Sequence, residues 1–184
     1  MPMKYLFIHI NKTGGTSISK ALGMPFLHFT AKEFIAAHGQ AVFDALFKFT
    51  VVRNPWDKVV SHYHYRVMTN QTSLGTDKMS FNSWVQKAYL DKDPLLYDIP
   101  KMFMPQCDWI TDDSGKIVVD SIARYENLND DFQKLCKILG KKLVLPHLKA
   151  STRGDYREYY NENSVRIIGD AFAVDIEQFG YTFN

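Results

Sequence analysis

Apolar and polar positions along the chain change period several times, and each change marks an element. Tyr5, Leu6, Phe7, Ile8, His9 and Ile10 form a short, nearly unbroken apolar run of buried-strand length, rich in aromatic and β-branched residues. It stops at Asn11-Lys12-Thr13-Gly14-Gly15-Thr16-Ser17, after which Ile18 to Leu22 predicts a short helix closed near Gly23. Thr30-Ala31-Lys32-Glu33 has the spacing of a capping box and predicts a helix through about Ala37, with Gly39 as its stop. A second strand is predicted over Phe47 to Val52. It leads into Arg53-Asn54-Pro55, where Asn54 can cap a helix and Pro55 takes the first helical position, at which its missing N–H costs nothing. In the helix that follows, Trp56, Val59, Val60, Tyr63 and Val67 share one apolar stripe, with Asp57 and Ser61 off it.

From about Gln71 to Gln106 the chain is more polar and less periodic, with a helix predicted near Ser80 to Leu90 and prolines at 94, 100 and 105. Asp112-Asp113-Ser114-Gly115 is a turn signal between Trp109-Ile110-Thr111 and the strand-like run from Ile117 to Ile122, which predicts a hairpin. A helix follows over Asn129 to Leu139, stopped by Gly140, and then an ordered loop from Leu145 to Tyr160. The last predicted helix carries Val165, Ile168, Phe172, Ile176 and Phe179 on one face and closes at Gly180. Strands alternating with helices imply an α/β fold, a P-loop-like three-layer domain with a central, mainly parallel sheet flanked by helices. One domain over residues 1–184 is expected.

Composition narrows the partners. Of 184 residues, 22 are Lys or Arg and 20 are Asp or Glu, so the net charge is only +2 and neither a basic nucleic-acid tail nor an acidic disordered one is present. An anionic partner must therefore be met by charge gathered at one site. Two cysteines, Cys107 and Cys136, are too few for a disulfide framework or a Cys-rich metal site, and a reducing compartment fits them. The amino terminus enters the first strand with no long apolar region, and nowhere do 18 apolar residues run together. A soluble, cytoplasmic protein with no membrane span and no nucleic-acid partner is expected.

Two segments carry chemistry. A strand that runs into a glycine turn and then a helix presents backbone N–H groups and the positive end of a helix dipole, an arrangement suited to anions. Lys12, Thr13, Thr16 and Ser17 add an ammonium and three hydroxyls around Gly14 and Gly15. The order is not that of Walker A, because the lysine precedes the glycines; a plain tight turn is the alternative. The second segment puts Arg53 at the carboxyl end of a strand, where open α/β sheets bind ligands, and Ser61 two turns into the next helix. Taken alone, Arg53 reads better as a surface ion-pair partner, for instance of Asp57, than as a ligand contact.

Together the segments are more specific. Phe7 to Ser17, reading Phe-Ile-His-Ile-Asn-Lys-Thr-Gly-Gly-Thr-Ser, resembles the 5′-phosphosulfate-binding loop of carbohydrate-type sulfotransferases. Val52 to Ser61 resembles the 3′-phosphate-binding segment of the same family, in the same order and at a matching separation. The likeness continues in Asp120 to Leu128, Leu145 to Ser151 and Phe179-Gly180-Tyr181, with Asn11 in place of a proline and Lys149 in place of an asparagine as departures.

The resemblance implies transfer of a sulfuryl group from 3′-phosphoadenosine 5′-phosphosulfate (PAPS) to an acceptor hydroxyl, on a carbohydrate, without a metal. Lys12 would counter charge on the leaving phosphate; Thr13, Gly14, Gly15, Thr16 and Ser17 would hold the 5′-phosphate, Arg53 and Ser61 the 3′-phosphate, and Ser151 and Arg153 would add contacts from the C-terminal loop. His28 resembles the base of glycan 2-O-sulfotransferases, with His62 and His64 as the next choices and His9, His38 and His147 as structural or surface residues. Trp56, Trp84 and Trp109 are read as core ahead of stacking on adenine or a sugar ring, and Arg157 as either a weaker cofactor contact or part of a solvated turn. A magnesium-dependent phosphotransferase and a non-catalytic nucleotide- or glycan-binding protein are the competing functions.

Overall fold

The computed structural model describes residues 4–146 and 154–184, so Ser151, Arg153, Lys149 and His147 lie outside the described residues. In chain order the elements are β1 (Tyr5–Ile8), α1 (Gly15–Leu22), α2 (Ala31–His38), α3 (Gln40–Asp44), β2 (Phe47–Val52), α4 (Pro55–Met68), α5 (Leu74–Asp77) and α6 (Phe81–Val85). The order continues with α7 (Cys107–Ile110), β3 (Ser121–Arg124), α8 (Leu128–Ile138), α9 (Glu162–Ala171) and α10 (Ala173–Phe179). Within the span read above as one domain, these elements form two compact units, one from residues before 54 and after 105 up to 146, the other from 54–105 with 154–184.

The first unit holds the sheet. Its strands lie in the order β1-β2-β3, all parallel, with Phe7 opposite Phe49 and Phe49 opposite Ser121. Side chains alternate across a sheet, so Phe7, Phe49, Val51 and Ala123 share a face. They pack with Ile18 and Leu22 of α1 and with Phe132, Leu135 and Cys136 of α8. Phe7 and Phe49 stack at 4.9 Å. On the opposite face Ile8, Thr50 and Val52 are also buried, and Thr50 donates its hydroxyl to the Ile8 carbonyl at 2.7 Å. Lys48 and Asp120 pin the start of the β2–β3 pair through an ion pair of 3.0 Å and two backbone-borne hydrogen bonds of 2.7 and 2.8 Å. This is an α/β architecture with a parallel sheet flanked by helices, as the sequence predicts.

The second unit is helical. Trp56, Val59 and Val60 of α4 pack with Phe81, Trp84 and Val85 of α6 and with Ile167 and Ile168 of α9. Asn54 caps α4, accepting from the Trp56 N–H at 3.1 Å, and Pro55 occupies its first turn. The apolar stripe predicted for α4 understates its burial, for Lys58, His62 and Arg66 are buried too. Lys58 Nζ lies 5.3 Å from the centre of the Phe172 ring, and Arg66 meets Asp98 at 2.9 Å. The polar-looking stretch 71–106 supplies Leu74, Trp84, Tyr89, Leu96 and Phe103 to this core.

Several predicted elements differ in detail. The hairpin at 109–122 forms but is short: Trp109 lies in α7, Thr111 and Ile117 bridge antiparallel, the Val118 N–H donates to the Ile110 carbonyl at 2.9 Å, and Ser121–Arg124 joins β2 in parallel. The turn chemistry is present, with Asp112 Oδ1 accepting from Ser114 and Lys116 N–H groups at 2.9 and 3.0 Å. The first strand stops at Ile8, whose partner is Thr50, although His9 and Ile10 stay buried. The helix near 80–90 widens after Val85 into a π turn over Gln86–Leu90. The last helix breaks at Phe172, which leaves helical dihedrals with its ring buried. α3 carries no sequence signal.

The capping box of α2 is complete: Thr30 Oγ1 accepts from the Glu33 N–H at 3.1 Å, and Glu33 Oε2 accepts from the Thr30 N–H at 2.8 Å. Thr30→Ala removes one of these bonds and should cost about 1 kcal/mol of stability, read as a lowered urea midpoint with an unchanged slope.

Candidate active site

β1 and β2 are adjacent and parallel, so their following segments emerge at the same edge of the sheet. β1 continues through buried His9, Ile10 and Asn11 to Lys12, whose φ of 66° lies in the left-handed region. That backbone costs a residue with a side chain about 1–2 kcal/mol. Two hydrogen bonds hold the turn. Thr13, fully buried, donates Oγ1–H to the Ile10 carbonyl at 2.9 Å, and Arg53 donates from Nη1 to the Lys12 carbonyl, also at 2.9 Å. A hydrogen bond from a charged donor is worth about 1.5–3 kcal/mol, enough to offset the backbone cost at Lys12.

Arg53 is not at the surface; 4% of it is exposed. Its N–H donates to Gln106 Oε1 at 2.9 Å, and Gln106 Nε2 returns a bond to the Arg53 carbonyl at 2.8 Å. Its guanidinium lies 3.8 Å from the centre of the Tyr125 ring. The same ring borders Gly14, where φ is 83° and a Cβ would sit 3.1 Å from the ring and 2.8 Å from Leu128 Cδ2. At Gly15 a Cβ would fall 2.2 Å from the His9 ring, so this position has no room for a side chain. α1 starts here with no side-chain cap. First-turn N–H groups have no intrahelical acceptor, and they sit at the positive end of the helix dipole. The Ser17 N–H is taken by the Gly14 carbonyl at 3.1 Å. Thr16 is exposed and Ser17 half-buried on this turn, whereas the Thr13 hydroxyl is turned into the loop.

His28 reaches the same loop. Its Nδ1 is 2.7 Å from the His9 carbonyl. A carbonyl only accepts, so Nδ1 carries the proton and the Nε2 lone pair of the neutral ring is the basic one. The His9 ring stands 4.4 Å from that of His28 and stacks on Phe7 at 5.1 Å. Burial, and secondarily the charge on His28, push the His9 imidazole down from 6.5 to about 3. It is therefore neutral, and its buried Nδ1 makes no hydrogen bond.

The other named residues are placed as follows. Ser61 is half-buried on α4 of the second unit. There His62 is buried against Phe103 at 4.9 Å and Trp84 at 5.6 Å, and His64 lies 5.0 Å from the Tyr159 ring. His38 is exposed at the end of α2. Trp56, Trp84 and Trp109 are buried core residues. Arg157 pairs with Asp155, two residues before it, on an exposed turn. The fold thus gathers Lys12, Thr13, Gly14, Gly15, Thr16, Ser17, His28 and Arg53 in one unit. Sequence reasoning missed the roles of Gln106 and Tyr125. The available signals were an isolated glutamine after Pro105 and a tyrosine directly after β3.

A family model described as the sulfotransferase family matches residues 3–182. The chain belongs to the sulfotransferase family. A relative, an uncharacterized protein of Archaeoglobus fulgidus, is 30% identical over 103 residues, which cover 55% of this chain and 74% of that protein. Among solved structures, a sulfotransferase from Alicyclobacillus acidocaldarius aligns with a TM-score of 0.43 and 16% identity over 83% of this chain and 60% of the other, so the chain spans 60% of that protein's length. Among the described residues, no three His, Cys, Asp or Glu side chains converge as metal ligands, and no helix is long and apolar enough to cross a membrane.

The state of His9 gives the fold a pH signature. Between about 3 and 6.5 the unfolded chain binds a proton at His9 that the folded chain does not. The His9 contribution is therefore complete above pH 6.5 and declines as pH falls toward 3. The non-titrating variant His9→Asn should show a shallower loss of stability than the parent from pH 7 to pH 4.5, measured as urea midpoints. Parallel curves would exclude a buried neutral His9.

Proposed function

We propose that the protein transfers a sulfuryl group from PAPS to a hydroxyl of a carbohydrate acceptor. The reading rests above all on one contact, the 2.9 Å hydrogen bond from Arg53 to the Lys12 carbonyl, because it ties together the two segments that resemble the donor-binding motifs. Gly14 and Gly15 leave the backbone open to an oxyanion, and the first turn of α1 offers N–H groups together with Thr16 and Ser17. Thr13 would contribute its N–H, since its hydroxyl is bonded to Ile10. Arg53 has five N–H donors in all, so the bond to Lys12 is compatible with a contact to the 3′-phosphate. The likeness of sequence extends the proposed contacts to Ser61, Ser151 and Arg153.

In the proposed reaction the acceptor oxygen attacks sulfur, the bond between sulfur and the 5′-phosphate oxygen breaks, and the products are a sulfate ester and 3′-phosphoadenosine 5′-phosphate. Lys12 stabilises the charge that grows on the leaving phosphate, a role in which preorganised charge acts on the transition state more than on bound donor. His28 takes the acceptor proton on Nε2 while the His9 carbonyl holds Nδ1–H. The neutrality of the adjacent His9 lets His28 become an imidazolium without a second positive ring beside it. The position of His28, which resembles the base of glycan 2-O-sulfotransferases, supports a carbohydrate acceptor.

The test is incubation with radiolabelled PAPS, without metal, against a panel of glycans and small alcohols. Sulfation of a glycan is the expected result. Lys12→Ala should then lower kcat by about 10²–10³-fold with a much smaller effect on the donor KM, and His28→Ala should lower kcat by about 10²-fold or more. Preference for magnesium-ATP as donor would establish a phosphotransferase instead. Tight donor binding with neither transfer nor hydrolysis would establish a binding protein.

A further inference from the structure

The contacts behind Lys12 form a chain of four residues from four parts of the first unit. Lys12 ends the segment after β1, Arg53 follows β2, Tyr125 follows β3, and Gln106 precedes α7. Each link fixes a different degree of freedom. The two Gln106 bonds, at 2.9 and 2.8 Å, hold the main chain of Arg53 on both its N–H and its carbonyl, and Gln106 is wholly buried. The Tyr125 ring, whose centre lies 3.8 Å from the guanidinium carbon, backs the guanidinium with its face. Only then does Nη1 meet the Lys12 carbonyl at 2.9 Å, at a residue whose φ of 66° is unfavourable without support. Tyr125 is itself held in place, since its ring borders Gly14 and it packs against the core shared by β1, β2, α1 and α8.

We infer that Tyr125 and Gln106 are positioning residues for Lys12, acting through Arg53. The inference rests on the reading of Lys12 as the group that serves the leaving phosphate. A left-handed backbone directs a side chain differently from a right-handed one, so release of the Lys12 carbonyl moves the base of the lysine side chain. A misplacement of about 1 Å can cost on the order of 10²-fold in rate. The Tyr125 role is that of a ring face, not of a hydroxyl, and the Gln106 role needs both the donor and the acceptor of its amide.

The experiment measures sulfate release from radiolabelled PAPS to water, which needs no known acceptor, for the full chain and for Tyr125→Leu, Tyr125→Phe, Gln106→Glu and Arg53→Lys, each also combined with Lys12→Ala. A thermal melt accompanies every variant. Tyr125→Leu, Gln106→Glu and Arg53→Lys should each lower kcat by about tenfold or more, and Tyr125→Phe should restore the rate to within about threefold of the parent because the ring face is kept. With Lys12 already replaced, Tyr125→Leu and Gln106→Glu should have no further effect on kcat. If Tyr125→Phe loses as much as Tyr125→Leu, the hydroxyl is what matters and the inference is overturned. If the Tyr125→Leu loss persists undiminished beside Lys12→Ala, Tyr125 acts independently of Lys12 and the inference again fails, while the reading of Lys12 stands. A parental rate in Lys12→Ala alone sinks that reading, and the inference with it. Should Tyr125→Leu not fold, the Gln106→Glu pair, with and without Lys12→Ala, separates the same outcomes.

Discussion

Lys12 sits in a backbone conformation that a lysine does not choose, and the bond from Arg53 to its carbonyl is what makes that conformation tenable. Much of the first unit serves this bond. The parallel pairing of β1 with β2 brings the two residues to one sheet edge, and Gln106 fixes the main chain of Arg53. Tyr125 arrives from β3, so all three strands take part. Lys48 and Asp120 hold β3 against β2 at the far end of their pairing and thereby set where Tyr125 emerges. The core of Phe7, Phe49, Val51 and Phe132 keeps these strands and helices together. Chemistry and packing are not separable in such an arrangement. A change deep in the β2–β3 pair reaches the site through the ring of Tyr125.

Polar burial runs through the same region. Thr13, Arg53 and Gln106 are all buried and all hydrogen-bonded to backbone, which is how buried polar groups are ordinarily tolerated. His9 differs, because its Nδ1 is buried with no partner and the ring is held by packing against Phe7, His28 and Gly15. Its carbonyl does the polar work by orienting His28. A residue can thus act at a site through its main chain while its side chain serves as filler against Gly15.

The sequence was informative where local rules decide the outcome. The Thr30–Glu33 box, the Asn54 cap with Pro55 and the strand Phe47–Val52 all depend on near neighbours, and each is observed as predicted. The extent of the hairpin at 109–122 is not legible locally, because the strand-like run from Ile117 to Ile122 does not say which strand it will join; the partner of Ser121 is Phe49, 72 positions earlier. The break at Phe172 was hidden because an apolar face continues across it. For the site, the glycines and Lys12 were legible as a loop between strand and helix. The left-handed backbone of Lys12 was not, since it is imposed from outside by Arg53. Gln106 and Tyr125 act through contacts far away in sequence, and a glutamine after a proline has no local pattern to announce it.

The contact between Gly15 and the His9 ring has a consequence for how this sequence can change over time. A Cβ at position 15 would fall 2.2 Å from the imidazole, so the two positions share a single volume. Any residue larger than glycine at 15 would be admissible only beside a much smaller residue at 9, and a smaller residue at 9 would remove the ring that lies against His28 and Phe7. The two positions can drift only as a pair, and only by giving up the aromatic stack beneath His28.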